Sequence, residues 1–101
     1  MSNQEYLVSV NVPPILEEGV VDCLLAIEPE IGFSSTAVNA HTSNHEHLSL
    51  AEQVAGRQTQ IHFQMYILEN QLTGLTKALK HNFSGSGIRY WVTPVIESGE
   101  I

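Results

Sequence analysis

The chain of 101 residues carries 11 acidic and 4 basic side chains, a net charge of −7, and 43% of its residues are hydrophobic. This length and composition predict a single globular domain spanning residues 1–101. The acidic surface excludes nucleic acid and anionic membranes as good partners, because it repels phosphate, and it favours cations or a basic protein surface.

The cysteine content and the N-terminal residues indicate the compartment. The single cysteine, Cys23, excludes an internal disulfide and is typical of a reducing environment. The first six residues show no basic segment followed by an apolar run, so they do not resemble a signal peptide. No stretch approaches the roughly 18 apolar residues of a membrane span. We therefore expect a cytoplasmic protein that does not insert into membranes.

The first part of the chain predicts a strand followed by a helix. Valines alternate with polar residues over Tyr6–Val12, which favours a strand with one buried face. Pro13–Pro14 ends this strand and opens an amphipathic helix. Its apolar residues recur at intervals of three and four, at Leu16, Val20, Leu24 and Ile27. Pro29 and Gly32 end the helix, and Cys23, beside the apolar stripe, is interpreted as a small buried hydrophobe.

Two further strands flank an unusually long connection. Phe33–Ala40 predicts a strand rich in Ser, Thr and Val, and Thr59–Leu68 alternates apolar and polar residues strictly. The segment Ala40–Arg57 between them exceeds the about 4–6 residues of a usual connection. Within it Ser49–Glu52 fits a capping box, which predicts a short helix ending at Gly56. That helix either docks a partner or pins the segment onto the body of the protein.

A second helix and a last strand complete the chain. Glu69–Asn70 is the predicted cap of a helix whose apolar residues are Leu72, Leu75, Leu79 and Phe83. Ser84–Gly87 breaks the chain, and Ile88–Ile96 follows as a strand. Pro94 places this strand at a sheet edge, because proline lacks the N–H that an inner strand needs.

The element order β-α-β-β-α-β predicts an α+β, ferredoxin-like fold. Right-handed crossovers put both helices on one face of a four-stranded antiparallel sheet. The other face then stays uncovered, with a mixture of polar and aromatic side chains: Ser9, Asn11, His62, Gln64, Tyr66 and Trp91. Such a face suits a subunit interface, so we expect a homo-oligomer.

Histidines of the long connection form a candidate metal site. Imidazoles and a carboxylate are suitable ligands for copper or zinc, and the acidic surface favours cations. The candidate ligands are His41, His45, Glu46 and His47, with His62 on the following strand. The alternative is a solvated polar loop with incidental histidines, since the spacing matches no dedicated zinc motif. We recognise no set of nucleophile, base and orienting group, and therefore expect no enzyme.

Two runs resemble a known family. Leu48–Arg57 and Tyr90–Gly99 look like segments of the uncharacterised bacterial PII-like proteins of the DUF3240 type, within the superfamily of nitrogen-regulatory PII and CutA proteins. The resemblance covers nearly the whole chain. It implies a homotrimer with the sheets packed inward, and it makes residues 41–58 equivalent to the T-loop with which PII proteins touch their targets. Members of this family are often encoded beside heavy-metal efflux pumps.

The resemblance also implies effector sites between subunits. In PII proteins a glycine-rich loop followed by lysine, together with arginines, holds the phosphates of adenine nucleotides. The matching candidates are Gly85 and Gly87, with Arg57 and Arg89 as the arginines of the chain. Here Ile88 stands where PII proteins have lysine, and the tail is acidic. These departures weigh against adenine nucleotides.

The residues and the resemblance together give a leading hypothesis and two alternatives. The leading one is a trimeric PII-like regulatory protein that senses a small ligand or metal ion and contacts a protein partner through its long connection. The second is a CutA-like copper- or zinc-binding protein without a signalling partner. The third is a structural adaptor trimer. The sequence does not identify the effector or the target.

Overall fold

The computed structural model describes residues 4–27, 31–41 and 57–101, with the side chain of Arg57 excepted. Within these residues, four strands and two α-helices follow one another in the predicted order β-α-β-β-α-β. The strands are β1 (Glu5–Val12), β2 (Phe33–His41), β3 (Arg57–Leu68) and β4 (Arg89–Pro94), and the helices are α1 (Glu17–Leu25) and α2 (Glu69–Phe83). The sheet order is β2-β3-β1-β4, with every neighbouring pair antiparallel. This is the α+β ferredoxin-like arrangement that the sequence predicts.

Both helices pack on one face of the sheet. The alternating valines of β1 and the apolar residues of β3 form a single cluster with the apolar stripes of the two helices. Its members with side chains at most 1% exposed are Val8, Val10, Val12, Val20, Leu24, Phe63, Met65, Ile67 and Leu75. Burial of this surface is the main stabilising contribution to the fold. The predicted stripe of α1 is confirmed, because Leu16 and Ile27 also pack against the cluster.

Several predicted boundaries differ from the structure, most of them by one or two residues at a strand end. A short 3-10 turn over Pro14–Leu16 precedes α1, because the Leu16 N–H donates to the Pro13 carbonyl. The predicted cap at Glu69–Asn70 is wrong, since the Gln71 Oε1 accepts the Leu68 N–H at 2.8 Å and Glu69 is already helical. The last strand ends at Pro94 rather than at Ile96.

The edge position of β4 agrees with its proline. β4 pairs only with β1 among the described strands, and Pro94 stands opposite Tyr6 at the end of that pairing. The Val95 N–H still donates to the Glu5 carbonyl at 3.0 Å before the chain leaves the sheet. The missing N–H of proline therefore costs little here, as it does at other sheet edges.

Candidate functional site

The sheet face opposite the helices is not covered by any described element. We call it the open sheet face, and define it by the side chains that the pairing register and alternation place on it: Ser9, Asn11, Ser34, Thr36, His62, Gln64, Tyr66, Arg89 and Trp91. Tyr66 is 60% exposed and Trp91 is 45% exposed. Large aromatic side chains among polar ones are typical of a protein interface.

The centre of the open sheet face carries a hydrogen bond between two strands. The Asn11 Oδ1 lies 2.6 Å from the His62 Nδ1, and the two residues are directly paired across β1 and β3. Thr36 on β2 and Arg89 on β4 extend the same row to the edges of the sheet. The row therefore has a fixed side-chain pair at its centre, and exposed side chains at both ends.

β2 and β3 form a ribbon that extends past the rest of the sheet. The last pair between β1 and β3 is Val12 with Ile61, whereas β2 and β3 continue through four more pairs to His41 with Arg57. Four residues of strand span about 13 Å. We call this projection, residues 38–41 with residues 57–60, the arm. The ends of the long connection therefore lie at the tip of the arm.

The structure separates the two candidate metal ligands that it describes. His41 is exposed at the end of the arm, while His62 lies on the open sheet face opposite Thr36. The five residue steps of β2 from Thr36 to His41 span about 17 Å, and the odd separation points the two imidazoles to opposite faces. One subunit therefore does not bring His41 and His62 together. Over residues 4–27, 31–41 and 57–101, no three His, Cys, Asp or Glu side chains are placed to hold a metal ion.

Part of the predicted metal site and the predicted helix of the long connection lie outside the described residues. The remaining metal candidates there are His45, Glu46 and His47. Metal binding by these residues with His41 stays a prediction, and so does the capping box at Ser49–Glu52.

A pocket of about 250 Å³ lies where α2 turns into β4. We call it the turn pocket. Its walls come from the last turns of α2, from the glycine-containing turn, and from the helix-side face of β4: Thr76, Leu79, Lys80, Phe83, Ser84, Gly85, Ser86, Gly87, Ile88 and Tyr90. Gly85 and Gly87 have φ angles of +77° and +85°. Residues with a Cβ rarely adopt such a positive φ, so the turn needs glycine at both positions.

The cation of the turn pocket is Lys80. Its Nζ lies 5.9 Å from the centroid of the Tyr90 ring, in a cation–π contact. Neither residue is a binding residue predicted from the sequence. Two signals pointed to them: Lys80 falls in the last turn of the helix before the glycines, and Tyr90 shares a strand face with Ile88.

The predicted anion-binding residues are only partly assembled. Gly85 and Gly87 line the turn pocket, but Arg89 pairs with Asn11 and lies on the open sheet face, the other side of β4 from Tyr90. Arg57 begins β3 at the tip of the arm. One subunit therefore gathers the two glycines with Lys80, and not with either arginine.

Cys23 lies beside a groove between the two helices. Burial raises the pKa of its thiol, while a weak hydrogen bond from the Asn82 Nδ2, 3.7 Å from the Sγ, acts in the opposite direction. Cys23 also packs against the hydrophobic cluster. Cys23 therefore packs as a small hydrophobe, as predicted, but its side chain is partly buried and not fully buried as the sequence suggested.

The fold and these features define an α+β protein with a ferredoxin-like fold. The chain belongs to the family described as "Protein of unknown function (DUF3240)", which it matches over residues 1–101. The resemblance found in the sequence is thereby confirmed. The chain matches no curated protein.

Solved structures share the fold over nearly the whole chain. A DUF3240 family protein from Shewanella baltica is 22% identical, with a TM-score of 0.78 over 100% of this chain and 99% of that one. CPII from Thiomonas intermedia, a nitrogen regulatory PII-like protein bound to ADP, AMP and bicarbonate, is 12% identical, with a TM-score of 0.68 over 97% of each chain. A putative PII-like signalling protein from Thermus thermophilus is 14% identical, with a TM-score of 0.65 over 91% of this chain and 87% of that one.

The described part of the chain contains no helix that is both long and apolar enough to cross a membrane.

Proposed function

We propose that this protein is a PII-like regulatory protein that assembles as a homotrimer, senses a small ligand or metal ion, and contacts a protein partner through residues 41–58. The observation that carries the proposal is the open sheet face. Its exposed aromatic residues, Tyr66 and Trp91, lie on the face of the sheet opposite the one that packs against the helices. Three copies packed with these faces inward bury the aromatic side chains and leave the arms pointing outward.

The arm supports contact with a partner. β2 and β3 remain paired for four residues beyond β1, so the two ends of the long connection are held together at the tip of the arm, beyond the part of the sheet that the proposed trimer would bury. A ribbon of this kind orders the base of a binding segment and reduces the entropy that the segment loses on binding. An effector regulates the partner if its binding changes the affinity of this segment for that partner.

Two classes of effector are consistent with the residues. The histidines at and beyond the arm, beginning with His41, favour copper or zinc, and heavy-metal efflux is the context that the family resemblance supplies. The turn pocket, with Lys80, favours a small organic ligand. CPII, which shares the fold, is a structure with ADP, AMP and bicarbonate bound, and these are therefore suitable further probes.

Native mass spectrometry tests assembly and sensing in one experiment. We expect a species of three times the subunit mass of 11.1 kDa at micromolar concentration. Titration with copper, zinc, ADP, AMP and bicarbonate should then show at least one ligand bound in a fixed ratio to subunits. Hydrogen exchange should report slower exchange in residues 41–58 with that ligand. A stable monomer, or an oligomer that binds none of these and whose exchange is unchanged, contradicts the proposal.

A further inference from the structure

We infer that the turn pocket binds a small organic monoanion, a carboxylate on a compact apolar body, with the Lys80 ammonium holding the carboxylate. The inference deepens the proposed function, because it names the chemical class of a ligand, and it takes its regulatory meaning from that function. It concerns a pocket on the helix side of β4, within one subunit.

The walls of the turn pocket are divided into an apolar part and a polar part. Leu79, Phe83, Ile88 and the ring of Tyr90 form the apolar wall. Lys80 and the hydroxyls of the turn form the polar part. The Ser86 Oγ accepts the Ile88 N–H at 3.4 Å, which leaves its own proton able to donate to an anion. A ligand that satisfies both parts needs an apolar body and one group that accepts hydrogen bonds.

The position of Lys80 favours an anion over a neutral group. Its ammonium is held over Tyr90 by a contact with the ring face alone, and no carboxylate within the described ranges forms an ion pair with it. A cation–π contact at an exposed site is weaker than a charge-assisted hydrogen bond. A carboxylate in the pocket therefore gains a cation that no carboxylate in the described part of the chain already pairs with.

The surrounding charge limits the ligand to a single negative charge. The turn pocket lies at the C-terminal end of α2, where the helix dipole places about half a negative charge. The chain carries a net charge of −7. One ammonium offsets one carboxylate in this field, but not two or three phosphate charges. The volume of about 250 Å³ also lies below the about 300–1,000 Å³ of sites for drug-sized ligands. Both arguments favour a small carboxylate over a nucleotide.

Amide NMR of the full chain, labelled with ¹⁵N, tests this inference. The probes are sodium benzoate, benzamide as its neutral counterpart of the same shape, and inorganic phosphate as an anion without an apolar body. We expect benzoate to shift the amides of Gly85, Gly87 and Ile88, and to bind at least about tenfold more tightly than either other probe. Equal affinity for benzoate and benzamide overturns the inference, as does an absence of shifts at these amides.

Two lysine variants identify the cation. Lys80→Met keeps the aliphatic stem and removes the charge, so benzoate affinity should fall at least about tenfold. Lys77→Met removes the same charge from an exposed position on the same helix, outside the pocket, and should leave the affinity unchanged. Equal losses in both variants show a general charge effect and overturn the inference. The subunit count from native mass spectrometry stays independent of these outcomes, so failure here is distinguishable from failure of the proposed assembly.

Discussion

Asn11 and His62 face each other across β1 and β3, with the His62 Nδ1 2.6 Å from the Asn11 Oδ1. An amide oxygen only accepts hydrogen bonds, so the Nδ1 carries the proton and donates it. The bond thereby fixes both the ring and its tautomer at the centre of the open sheet face.

The Asn11–His62 bond should be measurable as a coupling energy. We expect Asn11→Ala and His62→Ala each to lower the free energy of unfolding by about 1 kcal/mol. The stability loss of the double variant should be about 0.5–1.5 kcal/mol smaller than the sum of the two single losses, because both substitutions remove the same hydrogen bond. Urea denaturation at one fixed protein concentration measures all four proteins. Thr36→Ala is the control, because Thr36 pairs with His62 from the other neighbouring strand. The stability losses of Thr36→Ala and His62→Ala should simply add in the corresponding double variant. If the losses of Asn11→Ala and His62→Ala also add, the prediction is contradicted.

The open sheet face should determine the oligomeric state. Trp91→Glu places a charge at an aromatic position that the proposed trimer buries, and an unpaired buried charge is costly. We expect the mass measured by light scattering to fall from about three subunits to one, 11.1 kDa. Ile15→Glu makes the same kind of change at a residue 89% exposed next to α1, and should leave the mass unchanged. If the Trp91→Glu variant keeps the wild-type mass, the subunit contacts do not depend on the open sheet face and the prediction is contradicted.

Alanine substitutions at two glycines should change stability in opposite directions. Gly85 has a φ of +77°, so Gly85→Ala costs about 1–2 kcal/mol through the backbone. Gly74 lies within α2, so Gly74→Ala should stabilise by about 0.5–1 kcal/mol. A Cβ meets nothing within 4 Å at either position, so packing does not confound the comparison. Thermal denaturation followed by circular dichroism measures both; destabilisation by Gly74→Ala would contradict the helical assignment of that position.

Cys23 should react slowly with thiol reagents. Burial raises the pKa of its thiol, and the thiolate is the reactive form. The fraction of thiolate at pH 8 is therefore smaller than in a free thiol, and the rate should rise as the pH increases. At pH 8 the folded protein should react with a chromogenic disulfide reagent more slowly than glutathione does. In urea, where the protein is unfolded, its reaction rate should approach that of glutathione. A folded protein that reacts as fast as glutathione would show that burial does not protect the thiol.

Prediction from the sequence succeeded where the signal is local. The alternation of β1 and β3 and the stripe of α1 are periodicities read within about ten residues, and the structure confirmed both the elements and the buried face. Prediction failed at the start of α2, where Gln71 caps the helix by accepting the Leu68 N–H. Capping by a side chain three residues inside the helix depends on a rotamer that the residue types alone do not specify.

The candidate site was predictable only in part. Gly85 and Gly87 were identified as part of a chain break and through the family resemblance, and the structure adds that both have a positive φ. Lys80 and Tyr90 were missed as a pair, because a cation over a ring depends on how the end of α2 packs against β4. The grouping of His41 with His62 followed from their residue types, and the register of β2 on β3 places them about 17 Å apart along the strand.

By itself the sequence determined the order of strands and helices, the buried faces and the family, because each depends on residues near one another in the chain. Only the tertiary structure decided which residues pair across neighbouring strands and how far the arm extends past β1. Those properties depend on register, and register is set by contacts between residues distant in sequence, such as Asn11 with His62.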